Sequence, residues 1–178
     1  MISQALLKSI LSEYTLPLGG THGVSHWARV LENGRRLAEL TGADLKIVEL
    51  FAVFHDSKRV NEGIDDGHGI RGAAYTRALR GMHFELDDAS FNILSEACAD
   101  HTLGMRQAAL TVQVCWDSDR LDLGRAGISP VPQLLCTPAA QELAMIEWAH
   151  ERSLRRFVPD LVEADWGIRL DPGGPTLK

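Results

Sequence analysis

At 178 residues, 45% hydrophobic and 24% charged, the chain is long enough to bury one sizeable core and too short for several. Its formal net charge of −6, from 18 lysines and arginines against 24 aspartates and glutamates, speaks against a broad phosphate-backbone footprint and so against a nucleic-acid partner. Three scattered cysteines, Cys98, Cys115 and Cys136, form no CxxC pair, which excludes a disulfide framework or a thiolate-built zinc site and fits a reducing cytoplasm. The opening "MISQALLKSILSEY" lacks the unbroken apolar run of a signal peptide, and no stretch approaches the roughly 18 apolar residues of a membrane span. The expectation is a single cytoplasmic domain, 1–178, with no membrane partner.

Apolar residues recur at helical spacing nearly everywhere and strand-like alternation is scarce, so the fold class expected is all-α, a compact helical bundle. A first amphipathic helix spans Ile2 to Tyr14, stopped by "TLPLGG". A second runs from about Val24 to Leu40, with Gly42 as terminator. Asp44 caps a third, Leu45 to Asp56, which is apolar on nearly all sides and therefore central. After the polar loop "SKRVNEGIDDG", a small-residue helix covers His68 to Arg80 with Gly81 beyond it. Asp87 or Asp88 caps the next, ending near His101, and another extends over about 107–123, although the β-branched "LTVQVCW" has some strand character. Thr137 and Pro138 then start a last long helix, about 138–156, and the tail at about 170–178 is expected to be mobile.

Histidines and carboxylates recur on successive helices: His26, the doublet His55–Asp56, His68, His101 and Asp119. In helical bundles, facing side chains of this kind assemble metal sites, and imidazole with carboxylate suits a divalent first-row cation. The doublet ends an almost wholly apolar segment, where an unpaired charge would be costly and a cation would be its natural partner. His22, four residues before His26, shares its face if the helix starts early enough. Lys58, Arg59 and Arg71 are the basic groups best placed for a phosphate. Taken singly, each of these residues is more simply an ordinary core or surface group. Arg29, Arg71 and Arg120 could equally be surface ion pairs, and Cys98 and Cys115 read better as small core residues than as ligands.

The ordered segments "HGVSHWARV", "FAVFHDSKR", "DDGHGIRGA", "DHT" and "DSDRLDLGR", over about residues 20–130, resemble the HD-domain superfamily of metal-dependent phosphohydrolases. The resemblance implies metal ligation by His26, His55, Asp56 and Asp119 between the central helices. Asp119 stands directly before an Arg-Leu pair, with Asp117 left as the alternative last ligand. It further implies that His68 and His101 hold a second metal or act on substrate, alongside His22 and Arg71. One or two divalent ions per chain (Mn, Fe, Co, Ni, Zn or Mg) are therefore expected. Asp56 and His55, with Lys58 and Arg59, would be the catalytic group, and the activity would be hydrolysis of a small phosphorylated metabolite such as a nucleotide. A homodimer is left open. A di-iron oxygenase and a non-catalytic binding module, both built on the same fold, are the alternatives.

Overall fold

The computed structural model describes residues 2–170, so the part of the tail expectation at 171–178 lies outside the described residues. Those residues form nine α-helices and no strand, as the periodicity predicts: α1 (Gln4–Glu13), α2 (Val24–Thr41), α3 (Leu45–Phe54), α4 (His68–Leu79), α5 (Asp88–Asp100), α6 (Leu110–Arg120), α7 (Pro138–Gln141), α8 (Leu143–Leu154) and α9 (Leu161–Ala164). Two short 3-10 turns, Leu123–Ala126 and Pro132–Leu134, connect α6 to α7.

Local chemistry sets the ends. Ser3 caps α1 by accepting from Leu6 N at 3.1 Å, Asp44 caps α3 through Lys46 N and Ile47 N, and Asp87 caps α5 through Ser90 N. Gly42 closes α2 with a φ of 77°, a left-handed conformation that a side chain would resist. The β-branched stretch of α6 is helical because Val112, Val114, Cys115 and Trp116 are wanted on buried positions, and packing overrides intrinsic preference.

The central helix is α3, buried from Ile47 to Phe54 and packed against α1, α2, α4, α5 and α6. It ends at Phe54, two residues before the expected Asp56, because the chain tightens there: Ser57 N bonds to Phe54 O and Arg59 N to Asp56 O. The His55–Asp56 doublet thus sits on a terminal turn at the bottom of the core. The glycines of α4 make the neighbouring approach possible. A Cβ on Gly72 would lie 2.8 Å from Phe54 O and 3.1 Å from His55 O, and one on Gly69 would lie 2.5 Å from Cys98 O. Only a bare backbone lets α4 rest against the carbonyl ends of α3 and α5.

The expected long helix over 138–156 is two helices. Glu142 is extended (φ −62°, ψ 128°) and re-aims the chain. Thr137 holds α7 against α6, because Asp117 accepts from Cys136 N, Thr137 N and Thr137 Oγ1 at 2.7 to 2.8 Å. The break then lets α8 lay Met145, Ile146, Ala149 and Ser153 on α2 and the first 3-10 turn. The helix expected at 107–123 is shorter at both ends, and α9 is too brief for its periodicity to register in the sequence. No helix of the described residues is long and apolar enough to cross a membrane.

Gly72→Ala should overpack the α4 contact and cost about 1–3 kcal/mol, lowering Tm by roughly 2–4 °C per kcal/mol in a thermal unfolding scan. An unchanged Tm would mean that α4 does not sit this close to α3.

Candidate metal centre

Five helix ends meet at the bottom of the core. His26 lies in the first turn of α2 and His68 opens α4; His55 and Asp56 follow α3, His101 follows α5, and Asp119 occupies the last turn of α6. Three C-terminal ends meet two N-terminal ends at the point, leaving a small net partial negative charge that favours a cation.

The geometry falls into two halves that share Asp56. In one, His26 Nε2 lies 3.0 Å from His55 Nε2, with Asp119 Oδ1 at 3.5 and 3.8 Å from the two nitrogens. Asp56 Oδ2 completes it, at 3.4 and 3.7 Å. In the other, His68 Nε2 lies 3.0 Å from His101 Nε2, and Asp56 Oδ1 is 3.1 and 3.7 Å from them. His22 Nδ1 reaches Asp56 Oδ2 at 2.8 Å. All these groups are buried except His22 and Asp119, each 13% exposed at the side chain, which mark the open side.

The donor set fits a divalent cation for a specific reason. Each of the four inner imidazoles already has an acceptor at Nδ1: Asp122 Oδ2 for His26 (2.8 Å), Phe51 O for His55 (3.2 Å), Asp65 O for His68 (2.6 Å) and Cys98 O for His101 (2.8 Å). With the proton held at Nδ1, the lone pair of a neutral imidazole is at Nε2. The structure therefore sets nitrogen lone pairs face to face at 3.0 Å, with carboxylate oxygens between them, an arrangement that repels itself until a cation or a proton is shared. Burial pushes His55 down to about 3, beyond what the neighbouring Asp56 and Asp119 restore, so it is the neutral ligand form at physiological pH. Burial alone would raise both aspartates, yet His55, with other imidazoles, holds Asp56 well below the usual carboxylate range, and Arg125, with the imidazoles, holds Asp119 below it. Both carboxylates are ionised and ready to ligate.

Asp117, the alternative last ligand, is turned away: both its oxygens hold the Cys136–Thr137 backbone. Arg59 lies against the centre, its Nη1 3.6 Å from Asp56 Oδ1 and 3.3 and 3.1 Å from the two nitrogens of His68. One atom that close to both nitrogens sits over the ring face. Lys58 and Arg71, expected to receive phosphate, make contacts outside the cluster. Lys58 Nζ pairs with Glu13 at 2.5 Å and lies over the Tyr75 ring, while Arg71 spends its donors on Lys58 O, Asp66 O and Asp65 Oδ1, stapling the 58–66 loop. Arg29 is no surface pair. It is buried, with Nε and Nη2 on the two oxygens of Asp122 at 2.6 and 2.9 Å. Arg120 bonds to Met105 O and Leu134 O beside the Trp116 ring, and Cys98 and Cys115 are core residues.

Sequence reasoning missed Asp122 and Arg125. Arg125 is buried, with Nη2 3.3 Å from Asp119 Oδ1 and Nη1 on Asp122 O. The signal was present as two matching steps, His26 to Arg29 and Asp119 to Asp122, each placing a second residue on the face of the first.

No protein-family model and no curated protein matches the chain. Among solved structures it is similar to the crystal structure of a predicted HD superfamily hydrolase from an uncultured Thermotogales bacterium, at 28% identity and a TM-score of 0.58, over 75% of this chain and 76% of that one.

Metal-free protein titrated with Mn, Co or Zn should gain about 2.7 kcal/mol at a free ion concentration a hundred times Kd, a Tm rise of about 5 to 10 °C that Asp119→Ala abolishes. A wild-type Tm indifferent to all three ions would contradict the fit. In fold and in the order of its histidines and aspartates, the chain is similar to the HD-domain superfamily.

Proposed function

We propose that the chain is a metal-dependent phosphohydrolase acting on a small phosphorylated metabolite, a nucleotide being the class the family resemblance favours. The observation that carries the reading is the charge of the centre. Asp56, Asp119 and Asp122 are matched by Arg29, Arg59 and Arg125, all six within the network around the imidazoles. The protein's own charges cancel, so each divalent ion held there leaves the centre positive and suited to an anion. Such an ion polarises a phosphoryl oxygen and makes water an effective nucleophile at neutral pH.

The residues divide the remaining work. His26, His55, Asp56 and Asp119 would hold the ion. The second oxygen of Asp56 faces His68 and His101, which take a second ion or the substrate's phosphoryl oxygens. Arg59 and Arg125, each beside a ligating carboxylate, are placed to neutralise charge on the transferring group. Substrate enters past His22 and Asp119, the two partly exposed members. The six donors would also suit the oxygenase alternative; Arg59 and Arg125 beside Asp56 and Asp119 favour hydrolysis, because they can offset charge on phosphoryl oxygens and dioxygen brings none.

A screen of nucleotides and small phosphate esters with Mn, Co, Ni and Mg should reveal phosphate release. Asp56→Ala, folded by circular dichroism, should lose about a thousandfold or more in kcat/KM. Unchanged turnover in that variant, or oxygen consumption by an iron-loaded protein without phosphate release, would overturn the reading.

A further inference from the structure

Three of the four inner imidazoles are oriented by backbone carbonyls, and only His26 is oriented by a side chain. Its Nδ1 meets Asp122 Oδ2 at 2.8 Å, and Asp122 is fully buried. Asp122 is itself clamped. Arg29 donates Nε to Oδ1 at 2.6 Å and Nη2 to Oδ2 at 2.9 Å, the side-on fork that matches a carboxylate. Arg29 Nη1 is anchored on Phe157 O at 2.8 Å, and the Asp122 carbonyl accepts from Ser153 Oγ at 2.6 Å and Arg125 Nη1 at 2.9 Å. Neither partner is free to turn.

We propose that Asp122, held by Arg29, is the positioning residue that fixes His26 in the tautomer a metal ligand requires. Both carboxylate oxygens face cationic donors, so Asp122 can only accept from Nδ1, and His26 must present its lone pair at Nε2. A buried ion pair is a poor way to gain stability, since desolvation consumes most of the attraction. It is a good way to define one orientation, and a carboxylate behind a ligating imidazole also strengthens it as a donor. The inference rests on the metal-centre reading and not on the identity of the substrate.

Asp122→Asn separates this role from packing, because it conserves shape. Arg29 needs an oxygen at both carboxylate positions. The shorter Arg29 contact, Nε at 2.6 Å, leaves least room for a donor and takes the amide oxygen, so the amide nitrogen falls opposite His26 Nδ1 and donates to it, driving the proton off Nδ1. An amide in place of a histidine-orienting carboxylate favours the wrong tautomer in this way.

The experiment uses the full chain, stripped of metal and labelled with 15N. Long-range proton–nitrogen spectra read the His26 tautomer, and titration with Co or Mn reads affinity. Wild type should carry a proton at Nδ1, and Asp122→Asn should lack it there and bind the first metal equivalent about 10–100-fold more weakly. Ser153→Ala, which removes a tie to the Asp122 backbone but not to its carboxylate, should leave both readouts in place. Equal affinity and an unchanged tautomer in Asp122→Asn would overturn the proposal while leaving the metal centre standing. No binding by wild type would overturn both. Should Asp122→Asn not fold, the wild-type spectrum decides, and a metal-free His26 with no proton at Nδ1 would refute the proposal.

Discussion

Everything at the bottom of this core follows from one constraint: four imidazoles have committed their Nδ1 protons to fixed acceptors and turned their Nε2 lone pairs toward each other. Pairs of such nitrogens 3.0 Å apart, with ionised Asp56 between them, are unfavourable as they stand. Positive charge must be shared among them, and the three helix C-termini ending here, against two N-termini, add a little to the same demand. The chemistry proposed for the chain is the use made of that positive charge.

The packing exists to make this convergence possible. The doublet sits on a tightened turn after α3, where it is reached by α2 from one side and α4 from the other. Gly69 and Gly72 let α4 approach carbonyls that any Cβ would strike, and that approach carries His68 to His101 and to the outer oxygen of Asp56. Beside the candidate ligands lie two ion pairs, Arg29 with Asp122 and Arg125 with Asp119. Their contribution to stability is small after desolvation, but they keep aspartates ionised and side chains aimed.

Much of this was legible in the sequence. The helical period identified the class because apolar faces must meet a core, and Asp44 and Asp87 announced their caps through chemistry confined to three residues. The series His26, His55–Asp56, His68, His101 and Asp119 stood out because its members lie on successive helices. What stayed hidden depended on three-dimensional partners. Nothing near Arg71 in sequence says that its guanidinium will be consumed by the 58–66 loop, nor that Lys58 will turn to Glu13 on α1. The break at Glu142 carries no proline or glycine, and Thr137 at the start of α7 is held by the distant Asp117. Asp122 and Arg125 stay hidden because their contacts to His26 and Asp119 are made only in the folded chain.

The most direct test of the central claim is a crystal structure of the chain soaked in Mn or Zn, with anomalous diffraction recorded at that metal's absorption edge. The account predicts an anomalous peak bonded to His26 Nε2, His55 Nε2, Asp56 and Asp119, with the Nδ1 hydrogen bonds behind it undisturbed. A peak elsewhere, or none with the four Nε2 atoms still facing one another, would contradict it.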